Sequence, residues 1–100
     1  MTKIQSSQHR LVEMIVDTVS NDYESYQLVI DEVSTWAKKD NVPHSRDEIT
    51  AALAEALNKG YVRAYTYSQN DSKFKPTTPD TKTWESCYFL ATATGKTLLA

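Results

Sequence analysis

From Ser45 to Tyr67 the chain reads SRDEITAALAEALNKGYVRAYTY, and its periodicity changes across one glycine from that of a helix to that of a strand. Ser45 and Glu48 have the S-x-x-E spacing of a capping box, in which each side chain satisfies a backbone N–H freed at a helix start. Ile49, Leu53, Ala56 and Leu57 then recur on one face, which predicts a helix over 45–58. Gly60 can take the left-handed conformation that ends it. Residues 61–67 mix aromatic and β-branched types without a helical stripe, so a strand is expected there, running into a polar loop.

Upstream, Leu11, Met14, Ile15, Thr18 and Val19 form a stripe at helical spacing and predict a first helix over Gln8 to Val19. Ser20, Asn21 and Asp22 interrupt it. A second helix is expected from about Ser25 to Lys39, with Tyr26, Val29, Ile30, Val33, Trp36 and Ala37 on one side. Asp40, Asn41, Val42 and Pro43 read as the turn before Ser45, because a residue preceding proline disfavours the helical region. Downstream, residues 68–83 contain one large apolar side chain, Phe74, and two prolines, and read as a single loop. Strand character returns from Trp84 to Thr92, so this segment is expected to pair antiparallel with residues 61–67 across that loop.

The chain of 100 residues fits one domain, residues 1–100, and 40% hydrophobic with 24% charged side chains is the composition of a packed globular chain. No apolar run approaches the roughly 20 residues that cross a bilayer. The N-terminal MTKIQSSQHR also lacks the apolar centre of a signal peptide, so a cytoplasmic protein without a membrane partner is expected. Cys87, the single cysteine, lies in an apolar stretch and reads as an inert buried thiol. Charge is unevenly spread. Residues 1–60 carry six basic and ten acidic side chains, whereas residues 61–100 carry five basic and three acidic ones. A nucleic-acid binder normally has a clear basic footprint, and here only the strand-rich part is basic.

Helix, turn, helix, glycine, strand and loop in this order resemble a winged helix-turn-helix domain, with residues 45–58 as its recognition helix. Such proteins commonly place a Leu-Thr-x-x-Gly run after the second wing strand, where the threonine caps a short closing helix. Here Phe89, Leu90, Ala91, Thr92, Ala93, Thr94 and Gly95 keep that Thr-to-Gly separation, with Ala91 where the leucine usually stands. The resemblance implies an α+β fold: three helices, a two-stranded antiparallel wing and a short C-terminal turn. It also implies a small stand-alone DNA-binding protein of the transcriptional-regulator type. Double-stranded DNA would be met by Arg46 and Thr50 on the helix, by Arg63, and by Lys73, Lys75 and Lys82 in the wing.

The residues themselves support a competing reading. With 100° per residue, the side of helix 45–58 opposite its apolar stripe holds Asp47, Ala51, Ala54, Glu55 and Asn58. Carboxylates there oppose contact with a phosphate-lined groove. The alternative is therefore a protein–protein interaction or dimerisation module on the same fold, with a protein partner or a second copy and no nucleic acid. The aromatic residues Tyr61, Tyr65, Tyr67, Trp84 and Tyr88 could stack on bases, but cross-strand pairing is the favoured role.

Other chemistries lack their residues. Gly95-Lys96-Thr97 ends like a phosphate-binding loop, but Leu90 occupies the position of its first glycine. Asn70-Asp71-Ser72 matches a glycosylation acceptor in a chain with no secretion signal. His9 and His44 with one cysteine make no metal-ligand spacing. The pairs Asp31-Glu32 and Asp47-Glu48 read as exposed or capping rather than as partners across a cleft. No catalytic residue, metal, cofactor or small-molecule ligand is expected.

Overall fold

The first helix, α1 (Thr2–Thr18), buries Leu11, Val12, Met14, Ile15 and Val16, a wider face than its sequence stripe indicates. The reason is its central place: α1 packs against both other long helices, the sheet and the C-terminal helix. The computed structural model describes residues 2–79 and 83–99, with 2–7 described by their backbone alone. It starts α1 at residue 2 instead of Gln8. At the other end, the hydroxyls of Thr18 and Ser20 donate to the carbonyls of Met14 and Val16 at 2.8 and 2.6 Å.

A two-residue strand, β1 (Glu24–Ser25), leads into α2 (Tyr26–Lys39), whose first turn is capped by Ser25 Oγ accepting from the Leu28 N–H. Asn41 at φ 57° ends α2, and the Val42 N–H reaches back to the Ala37 carbonyl at 2.9 Å. The helix α3 (Arg46–Asn58) begins with Ser45 Oγ accepting from the Glu48 N–H and ends in the same way as α2. Gly60 has φ 77°, and the Tyr61 N–H bonds the Ala56 carbonyl at 2.9 Å. The turn between α2 and α3 is pinned by His44. Its Nδ1–H donates to the Val42 carbonyl, and its Nε2 lies 3.2 Å from Ser34 Oγ.

After Gly60 the chain forms β2 (Val62–Ser68), β3 (Lys73–Thr77) and β4 (Tyr88–Ala91), then α4 (Ala93–Leu98). The sheet is antiparallel with the order β1-β4-β2-β3. The fold is α+β, as the sequence indicates. Four strands replace the expected two, and the expected pairing of residues 61–67 with the later strand is present as Val62↔Ala91 through Tyr65↔Tyr88. Two boundaries change. Residues 68–83 are not one loop: the chain folds back over residues 69–72, and β3 then lines β2 from Ser68↔Lys73 to Ala64↔Thr77. Trp84–Ser86 is a 3₁₀ turn rather than strand, and it carries the buried Trp84 ring against Tyr26 and Phe89.

The core lies between the helices and one face of the sheet, to which β2 and β4 contribute Val62, Ala64, Phe89 and Ala91. Cys87 is buried within it. The chain's two glycines meet at one corner of this core. Thr92 Oγ1 donates to the Gly60 carbonyl at 2.6 Å, and the Thr92 N–H donates to the Tyr61 carbonyl at 2.9 Å. Thr92 Oγ1 also caps α4 by accepting from the Gly95 N–H. A Cβ at Gly95 would stand 2.0 Å from the Tyr61 carbonyl oxygen, so glycine allows α4 to sit against the start of β2.

Candidate interaction surfaces

Three exposed surfaces follow from this architecture: the outer side of α3, the β2–β3 hairpin, and the face of the sheet away from the helices. On α3, Ile49, Ala52, Leu53 and Ala56 are buried, and Asp47, Glu48, Ala51, Ala54 and Asn58 are exposed. The two α3 residues expected to meet DNA both face Tyr26 at the start of α2. Thr50 Oγ1 and the Tyr26 hydroxyl are 2.8 Å apart, and the Arg46 guanidinium lies 5.4 Å from the centre of the Tyr26 ring. Glu55 accepts from the Gln8 side-chain amide and pairs with Lys59 at 3.3 Å. These contacts, the Gln8 hydrogen bond first, hold its carboxyl below the usual carboxylate range.

Strand register determines which wing cations share a surface, because residues paired across a ladder lie on the same face and neighbours along a strand alternate. Arg63 pairs with Leu90, whereas Lys75 pairs with Thr66 and Lys73 with Ser68. Arg63 therefore lies on the opposite face of the sheet from Lys73 and Lys75. Lys75 is also ion-paired with Asp71 in the hairpin turn. Lys82 lies outside the described residues. Arg46, Arg63 and the two described lysines are thus spread over α3, the outer sheet face and the helix-side face, respectively.

The outer face gathers aromatic residues instead. Register brings Tyr65, Tyr67, Phe74, Tyr88 and Leu90 to it. The Tyr23 ring lies over Phe74 with centroids 3.9 Å apart and planes 9° apart. Tyr23 also meets Tyr65 edge-on at 5.0 Å, while Phe74 meets Tyr67 at 5.0 Å and Tyr88 at 5.2 Å. Of the expected aromatic set, Tyr65, Tyr67 and Tyr88 come together here; Trp84 is in the core, and Tyr61 packs against it from the start of β2. Tyr23 and the ring role of Phe74 went unseen in the sequence. The only local sign of Tyr23 is an aromatic residue next to a two-residue strand.

A cleft of about 530 Å³ lies between α1 and α2, lined by Leu28 and Trp36 and by the carboxylates of Asp17, Glu24, Glu32 and Asp40. Burial, followed by the nearby charges of Asp22 and Glu32, pushes the Glu24 carboxyl up. Arg10 lies at one end, 5.3 Å over the Trp36 ring and 2.8 Å from Asp40. Among the described residues no three His, Cys, Asp or Glu side chains are grouped to hold a metal ion, and no described helix is long and apolar enough to cross a membrane. Comparison with protein-family models, curated proteins and solved structures finds no match.

Proposed function

We propose that the chain is a protein-interaction module built on a winged-helix scaffold, and that it does not read DNA. The scaffold assignment rests on the helix-turn-helix, on the Gly60 exit into a hairpin, and on Thr92 and Gly95 closing the domain through α4. One observation carries the functional reading: among the described residues Arg46 and Arg63 do not share a face with Lys73 and Lys75, while the exposed side of α3 carries Asp47 and Glu48. Neutralising phosphates by a continuous basic surface is the main source of affinity for a duplex, and this distribution lacks one among its described residues.

An electrophoretic shift assay with mixed duplexes at about 50 and about 200 mM salt tests the proposal, with no shift expected at either concentration. The double variant Asp47→Lys/Ala51→Lys adds a positive arm. It removes one carboxylate from the outer side of α3 and adds two cations, so it should gain weak, salt-sensitive binding. A wild-type shift at low salt would instead favour docking by α3 and the hairpin. Three phosphate contacts, by Lys73, Lys75 and Lys82, would then give a salt slope of about −2.7 and a loss of about 40-fold for a fourfold rise in salt.

A further inference from the structure

We infer that the cleft between α1 and α2 is a docking groove for an extended, arginine-bearing segment of a partner protein. This rests on the protein-interaction reading and deepens it by naming the groove and the chemistry of its occupant. One stripe of α2 builds the groove, with Leu28, Glu32, Thr35, Trp36 and Lys39 recurring at helical spacing, and Asp17 and Thr18 line it from the end of α1. Leu28 is 38% exposed and Trp36 is half-buried, so the groove offers apolar surface as well as charge.

Charge selects the occupant. Four carboxylates line the groove, those of Asp17, Glu24, Glu32 and Asp40, and Lys39 is the one cation among its described lining residues. Among the described residues no cation pairs with Asp17, Glu24 or Glu32. Such a surplus repels acidic partners and attracts cationic ones. Spacing then excludes a point charge. Glu24 precedes α2 and Asp40 follows it, so the carboxylates are spread along a helix of 14 residues, about 21 Å. No three of the described ones are grouped to hold a metal ion. An extended chain of about six or seven residues has that length, and its alternate side chains point to one side.

The protein supplies its own example of the contact. Arg10 reaches from α1 to the C-terminal end of α2, where its guanidinium lies 5.3 Å over the Trp36 ring and donates to Asp40 at 2.8 Å. A planar cation on an aromatic face, held at its edge by a carboxylate, is a geometry that favours arginine over lysine. Arg10 thus fills one end of the groove from within, while Asp17, Glu24 and Glu32 await cations from outside.

Fluorescence anisotropy of a labelled peptide of about eight residues, alternating arginine with leucine, tests this on the full chain. A dissociation constant of about 10–100 μM is expected at about 50 mM salt, weakening severalfold at about 200 mM. The same peptide with glutamine for arginine should bind at least about tenfold more weakly. Glu32→Lys reverses one charge at an exposed helical position and should cost more than about tenfold; Glu32→Gln, with an expected loss of about threefold, replaces it if circular dichroism shows the lysine variant unfolded. Asp47→Lys makes the same change of net charge on α3 and should stay within about twofold. Arg10→Gln vacates the Trp36–Asp40 end and should tighten binding by about threefold. No binding at about 1 mM protein overturns the inference, as does equal binding of the glutamine peptide, equal loss from Asp47→Lys and Glu32→Lys, or weaker binding by Arg10→Gln. Displacement of the peptide by an equal concentration of spermine would assign the groove to small polycations, and also overturns it. A duplex shift sinks the protein-interaction reading, since it reports on α3 and the hairpin, whereas failure to bind the peptide without such a shift sinks the groove alone.

Discussion

The two faces of the sheet solve the same packing problem in opposite ways. Toward the helices, β2 and β4 present Val62, Ala64, Phe89 and Ala91, so that one large ring stands among small side chains and α1 and α3 approach closely. Away from them, Tyr65, Tyr67, Phe74 and Tyr88 have no helix above them and cover one another, with Tyr23 laid across from β1. The first face is closed by tertiary structure; the second is closed by its own rings and remains partly open. Stability should therefore concentrate on the first face.

Truncation of the central ring on each face tests this division most strongly. Phe89 is fully buried, and Phe89→Ala should cost about 3–5 kcal/mol, a large part of the roughly 5–15 kcal/mol that holds a domain folded. Phe74→Ala removes a half-exposed ring with a stacked partner and two edge-on partners, and should cost about 1–2 kcal/mol. Urea unfolding measures both. If Phe89→Ala is too unstable to measure, Phe89→Leu should still be destabilised. Equal costs would mean that the outer ring cluster is as integral to the fold as the core.

The corner where Gly60 meets Gly95 gives a smaller contrast between close packing and open space. Alanine at 95 would drive its Cβ into the Tyr61 carbonyl, and the backbone shift should cost about 3 kcal/mol. Alanine at 60 meets no atom within 4 Å and suffers only from the left-handed backbone, for about 1 kcal/mol. Thermal unfolding of the two variants should preserve that order. The reverse order would show that α4 can lift away from β2 without loss, and that the turn at Gly60 is the tighter constraint.

These contrasts also explain which parts of the molecule could be read from sequence. The caps at Ser45 and Thr92 and the Gly60 exit are signals contained within four or five residues, and they mark true element ends. The segment KFKPT reads as loop because an edge strand needs neither an alternating apolar face nor every backbone donor. Lysines and a proline are what keep such an edge from pairing further. The two residues of β1 are too few to show a period. The candidate site was less legible for a related reason. Arg63 and Lys75 are both cations near a hairpin, and only the ladder pairs Arg63↔Leu90 and Thr66↔Lys75 separate them onto opposite faces. Tyr23 joins the outer cluster through a pairing with β4 more than sixty residues along the chain, for which no local pattern exists.

The smallest expected effect concerns a charge on the closed side of the sheet. Glu24 pairs with Phe89 and so belongs to the helix-side face, where burial first, then Asp22 and Glu32, raise its pKa. For a carboxyl raised on folding, the unfolded chain ionises first. Glu24 thus costs nothing below the ordinary carboxylate range, and stability is lost as pH rises through its unfolded value to its folded one. Glu55 runs the other way, since its lowered pKa contributes stability that disappears as pH falls. Because the two oppose each other in a whole-protein profile, the informative quantity is the difference between wild type and Glu24→Gln. The variant should melt higher at pH 7, by less than about 3 °C, and the gap should close below about pH 3.5 as Glu24 becomes neutral in both states. A gap that stays constant with pH would mean that the carboxylate is fully solvated, and that the closed face ends at Phe89.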